Sequence, residues 1–474
     1  MTREQGGIVD PIHELIAYSL GLSFVALPGS AIDKIKERVL DTAGTMVAGS
    51  SNPACKELVR VALGWGGRPE SSILVYGEKV PAPVAALCNG TMARAWELDD
   101  VHEFAGTHVS ASMVPAAFVL ADYSKASGRG PVDGETFCAG LAAGSDLLCR
   151  LRMAGREEGP EMGWLGETYA PLAVALMGAR LLRFPAAKTL EAAGISYAQC
   201  AGNAQANVDG AFAVPLQQGL GIQAGILGLV LADAGLTGAK EVLCGRYGLY
   251  PLYLRGNFNH ETLTSELGKR FEFMQVTTKF YPCCQGNHAA IQGIRALARE
   301  HAIKPHDVER VTICTNTFFT TILGGPDKVK PRNVNDAQFS YYYTAACALV
   351  TGSVGLRDFS EQAIGRAEVL KLAERVRVVP VAEKDVMKAM IPPIDVEIAL
   401  TNGSVYRQTV PFVKGSPDDP AKREDFLIKF NECAAYATRP LDQSCLDEVV
   451  DLIDRLETLD DVTVVTDRLS QRTT

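Results

Sequence analysis

Histidine is scarce in this chain, with 7 in 474 residues, and basic residues never gather into a long block. Lys and Arg number 46 against 55 Asp and Glu, for a net charge of −9. That balance and the scattered cations give no footprint for nucleic acid or an anionic membrane surface. An acidic substrate would have to be met by a local cluster of positive groups. No long apolar run reads as a membrane span. Ala213 to Ala232 comes nearest, but Gln217, Gln218 and Gln223 interrupt it, so it reads as a buried helix. The segment Met1 to Pro11 lacks the apolar core of a secretory signal. None of the 12 cysteines forms a C-x-x-C pair, and most sit in apolar helical contexts. Reduced, buried thiols in a cytoplasmic protein are the expectation. Cys283 and Cys284 with His288 have no second ligand pair at zinc spacing, so no metal is expected.

Familiar chemical signatures are missing too. Gly219-Leu220-Gly221 with Gly225 follows no strand and lacks the third glycine of a dinucleotide fingerprint, so helix packing accounts for it better. There is no Walker loop, no H-E-x-x-H and no G-x-S-x-G elbow.

What is present is helix after helix. Apolar residues recur at helical spacing over Ala31–Ala48, Val84–Leu98, Ser112–Ser127, Glu135–Arg150, Tyr169–Leu182, Ala186–Ala206 and Leu220–Ala234. The pattern changes near Phe273. Helices over Cys284–His301, Ala337–Thr351 and Glu361–Glu374 then alternate with strands over Val308–Asn316 and Arg375–Val381. A hairpin, Ile394–Leu400 to Val405–Phe412, turns at Asn402-Gly403. Helices return over Arg423–Ala437 and Ser444–Leu456. The expected fold is mainly α: a large all-helical domain (1–272 and 415–474) with an inserted, smaller α+β lid domain (273–414). The cleft between them is the default place for a site.

Three segments carry the polar groups. Trp96 to His108 holds Glu97, Asp99, Asp100, Glu103, His102 and His108 between two helices. A solvated loop would have this composition, yet carboxylate–imidazole pairs are what general acid–base work needs. Thr278 to His288 brings Lys279 and Tyr281, with a helix N-terminus behind them. Gln338 to Tyr343 opens an apolar helix, where a tyrosine cluster is more often core than acid.

Taken in order, these segments resemble the MmgE/PrpD family. The resemblance is carried by Leu40-Asp41-Thr42, Ala86 to Thr91, Leu98-Asp99-Asp100, His108 with Pro115, Lys279-Phe280-Tyr281-Pro282 with His288, and Gln338-Phe339-Ser340 with Tyr343. It implies a homodimer without a cofactor, acting on a small carboxylate. The implied reactions are dehydration of a hydroxy-polycarboxylate such as 2-methylcitrate, epimerisation of a dicarboxylate, or decarboxylation of a cis-aconitate-like acid; dehydration leads by analogy. The implied catalytic set is Asp99, Asp100, His108, Lys279 and Tyr343, with Glu97, His102, Tyr281 and His288 as substrate-binding candidates. Lys279 would stabilise developing charge, His108 would move the proton, and Tyr343 would act as an acid. Replacing Lys279 by Ala is expected to reduce turnover by orders of magnitude and spare the fold. The chain departs from the family pattern at Gly166-Glu167-Thr168 and Val214-Pro215-Leu216, where basic or imidazole groups are missing; Arg94, Arg152 and Arg156 are the candidate substitutes. A binding protein that kept the fold is the rival class. The poised acid, imidazole and lysine argue against it.

Overall fold

A computed structural model describes residues 9–155, 162–385 and 391–470. Helix makes up 59% of it, with only small sheets. The longest helices run Gly29–Gly49, Gly134–Ala154 and Ala213–Asp233. Ala213–Asp233 is apolar and long enough to cross a membrane, but it packs against Ala82–Arg94, Ala170–Leu181 and Ala186–Tyr197. Gly219 explains the close approach: a Cβ there would lie 2.3 Å from the Leu87 carbonyl oxygen. The glycines of this stretch therefore serve helix contact.

Two large hydrophobic cores form. The first gathers side chains from Ile12 to Val276 and then from Phe426 to Leu469. The second is built from Cys283 to Val413. A small third cluster, Ala48, Leu98, Leu356 and Cys433, joins residues from across the chain. Within the second region a four-stranded sheet has the order Val376–Pro380, Val308–Thr315, Ile394–Leu400, Val405–Val410. The first pair is parallel and the others antiparallel. The Asn402-Gly403 turn closes the hairpin as expected, with Gly403 at φ +88°.

Several elements are shorter than their periodicity suggested. The helix expected to reach Leu98 stops at Arg94, and Glu97 takes a left-handed φ of +53°. The helix expected to reach Ala206 stops at Tyr197, because Gly202 accepts hydrogen bonds from Leu165 N and Thr168 Oγ1 and is held against that turn. The helix expected over Ala337–Thr351 is two, Val334–Gln338 and Tyr341–Val350. Ser340 caps the second by accepting from Tyr343 N. Gly365 likewise divides Glu361–Ile364 from Ala367–Ala373. Pro53–Trp65 was not anticipated, although Asn52 caps it and Pro53 occupies its first turn.

Candidate active site

The segment after Arg94 turns at Ala95 and Trp96 and bends at Glu97 and Asp99 before the short strand Val101–His102, so its side chains leave in several directions. Asp99 joins a buried ionic cluster, and Val101 and Glu103 line a cavity of about 170 Å³. Asp100 and His102 point elsewhere. A two-stranded ladder, Val101–His102 against Val276–Thr277, brings the Lys279 segment alongside.

Arg94, Glu97, Asp99, His108 and Lys279 form the cluster. Arg94 donates to Glu97 and, at 3.4 Å, to Asp99 Oδ1. Lys279 Nζ lies 2.9 Å from Glu97 Oε2 and 3.8 Å from Asp99 Oδ1. Arg94 Nη2 donates to His108 Nε2 at 3.0 Å. His108 Nδ1 faces both the Asp100 carbonyl at 3.0 Å and Asp99 Oδ2 at 2.8 Å. All but His108 are almost wholly buried. Burial would push the Glu97 and Asp99 carboxyls up, but Arg94, with Lys279 and His108, outweighs it and holds both below the usual range. Burial would also lower Arg94; Asp99, Glu97 and Glu167 raise it instead.

Further walls come from residues the sequence reading did not single out as site members. Glu167, Gln285, Asn207, Cys284 and Val214 line the cavity, and Phe318, Phe319, Ile322 and Phe339 form an apolar side. Burial raises the Glu103 carboxyl, which accepts from Thr277 Oγ1 at 2.8 Å and Gln285 Nε2 at 3.4 Å. The Gln218 amide, oriented to donate to Glu167 Oε1 at 3.1 Å, also contacts Ser112. Gly166 allows the Glu167 turn to lie against Thr107: a Cβ there would meet Thr107 Oγ1 at 2.2 Å. Gln338 of the Gln-Phe-Ser motif fastens two site segments, donating to Trp96 O at 2.9 Å and Pro282 O at 3.1 Å.

Of the expected residues, Glu97, Asp99, His108 and Lys279 are brought together, and five others are not. Asp100 accepts from Ser110 N at 3.0 Å and from Arg38 at 3.4 Å, so it anchors the start of Val109–Ala126, the helix that follows His108. Tyr343 is a correction: its hydroxyl donates to the Asp358 carbonyl inside the second core, where burial raises its pKa. Tyr281 receives a bond from Arg295 at 3.1 Å and lines a separate cavity of about 540 Å³. His288 is buried beside the Cys283 carbonyl, and burial pushes it down to about 3. His102 accepts from Ala105 N at 3.0 Å, is pushed down by burial to about 4, and faces a third cavity of about 520 Å³. Arg94 is the substitute cation found in the cluster. Arg152 instead stacks over Tyr169, 5.9 Å from its centroid. Arg156 lies outside the described residues.

Residues 13–261 match the MmgE/PrpD N-terminal domain and residues 281–455 match the MmgE/PrpD C-terminal domain. The chain belongs to the MmgE/PrpD family. It is 25% identical to a cis-aconitate decarboxylase of Aspergillus terreus, covering 96% of this chain and 95% of that one. It is 24% identical to the cis-aconitate decarboxylase-like protein oryM of Aspergillus oryzae, covering 92% of each. The cis-aconitate decarboxylase of Mus musculus is also 24% identical, with 94% and 90% covered. Membership accounts for the ordered motifs; the ion-paired cluster shows which of their side chains meet.

Proposed function

We propose that this protein is a lyase that develops negative charge on a carbon next to a carboxylate and controls the proton at that carbon. The observation that carries this reading is the meeting of Arg94, Lys279 and His108 at one small cavity, with Glu97 and Asp99 between them. Lys279 offers an ammonium to the developing charge in surroundings largely closed to water, where such a group acts most strongly. His108 handles the proton, and Asp99 and the Asp100 carbonyl hold its ring.

Decarboxylation is the leading reaction, because the relatives' names point to it. The bond to the departing carboxylate breaks, its electron pair stays on carbon, carbon dioxide leaves, and the carbon takes up a proton. Dehydration is the second reading, and one observation favours it. Nε2 of His108 faces a guanidinium, so it holds a lone pair, which takes a substrate proton only when the Arg94 N–H gives way to the substrate. In that reaction His108 takes the proton next to the carboxylate, a double bond forms, and the hydroxyl leaves with a proton from an acid. Glu103, with its raised pKa, suits that acid better than Tyr343. The region of the second core supplies the aromatic wall, which supports treating residues 273–414 as a lid.

The test is product identification by NMR with cis-aconitate, citrate, 2-methylcitrate and smaller hydroxy, unsaturated and amino acids. Release of carbon dioxide supports the first reaction and formation of an alkene by loss of water supports the second. Ligand-induced stabilisation with neither product, and no exchange at carbon, would favour a binding protein.

A further inference from the structure

The charges around the cavity are unusual for a site that must accept an anion. Two cations, Arg94 and Lys279, are shared between Glu97 and Asp99. Glu103 and Glu167 add two more carboxylates to the lining, and neither forms an ion pair among the described residues. The cluster is therefore negative before any substrate enters. It stays so even with Glu103 protonated, the state that burial favours. Each further carboxylate brought by a ligand meets like charge at short range in a partly dehydrated space.

Among the open hydrogen-bonding atoms, Arg94 Nε is a donor that suits one carboxylate, and two others call for a donating ligand. Gln285 is 5% exposed; its Nε2 is spent on Glu103, and its Oε1 has no partner among the described residues. Asn207 Oδ1 is also buried without a partner. Both side chains line the cavity, and both open atoms are acceptors. A ligand that satisfies them brings N–H or O–H groups.

We propose that the cavity takes a small amino acid, with a single carboxylate directed to Arg94 and Lys279 and a protonated amine directed to Glu103, Glu167, Gln285 and Asn207, in preference to a tricarboxylate. This inference rests on the reading of this cavity as the substrate site. It concerns charge selection, and holds whichever bond is broken.

The test is calorimetric titration of the whole chain at low ionic strength with three probes of similar length: 4-aminobutanoate, glutarate and propane-1,2,3-tricarboxylate. The amino acid is expected to bind at least 10-fold more tightly than the tricarboxylate, with glutarate between. In E167Q the ratio should shift about 10-fold toward the tricarboxylate; N207L, which removes an open acceptor on the amine side, should shift it the same way and is the second variant should the first fail to fold. Tighter binding of the tricarboxylate, a ratio unmoved in the variants, or binding of none of the three would overturn the inference. Amino-acid preference without proton exchange on any acid would count against the lyase reading alone. Exchange on a tricarboxylate with the reverse preference would count against this inference alone.

Discussion

Nη2 of Arg94 donates to Nε2 of His108 across 3.0 Å. Arginine has no acceptor to offer, so the imidazole nitrogen facing it carries a lone pair, and the ring proton sits on Nδ1 against Asp99 and Asp100. Arg94 thus fixes the tautomer while bridging to Glu97 and Asp99. Arg94→Lys keeps the charge but cannot span three partners in one plane. It should lower kcat/KM by about 10- to 100-fold, an activation cost of about 1.4–3 kcal/mol. Steady-state kinetics decide this; unchanged kcat/KM would free His108 from Arg94.

Lys279 is as much part of the folded core as of the chemistry. It is 1% exposed and lies within ion-pair distance of Glu97 and Asp99. The expectation that Lys279→Ala spares the fold therefore needs correction. Removing one partner from a buried ionic group typically costs about 3–5 kcal/mol. Urea denaturation of Lys279→Ala should show a loss of that order together with loss of turnover. Wild-type stability in the variant would contradict the cluster.

Acid should unfold the protein for a nameable reason. His102 and His288 are held neutral by burial down to about 4 and about 3, while the unfolded chain takes up those protons near pH ~6.5. The unfolded state binds more protons in that window, so stability is lost as pH falls from about 6.5 toward 3. Depressed Asp99 and Glu97 act in the same direction below about pH 4, and raised Glu103 opposes them. Relative to His288→Gln, wild type should lose up to about 1.4 kcal/mol per pH unit between pH 6 and 4. Denaturant melts across that range measure it. A difference that does not change with pH would show that His288 is not held neutral.

Tyr343→Phe separates the site from the core. Its hydroxyl is committed to the Asp358 carbonyl. Loss of that bond should cost about 0.5–1.5 kcal/mol of stability and leave the carbonyl unsatisfied. Turnover should stay within about threefold of wild type. A 100-fold drop would restore Tyr343 to the catalytic set.

Much of this was written in periodicity. The 3.6-residue spacing located the major helices, and the alternation after Phe273 located the sheet. In the polar loop only Val101 and His102 alternate, Val101 toward the site cavity and His102 toward another; Glu97, Asp99 and Glu103 are placed by turns and bends that periodicity does not describe. Glu167 was harder. It is joined to the cluster by a turn that only Gly166 lets lie on Thr107, and long-range packing of that kind leaves no periodic trace. Gln285 and Asn207 matter through atoms left open, which no local pattern encodes.

The central claim is that His108 moves a proton at a carbon next to a carboxylate. Its most direct test is deuterium uptake from heavy water into a bound small acid, followed by NMR, in wild type and His108→Gln. The account predicts uptake at that carbon by the wild type and a rate about 100- to 10,000-fold lower in the folded variant. Equal uptake in both would contradict it.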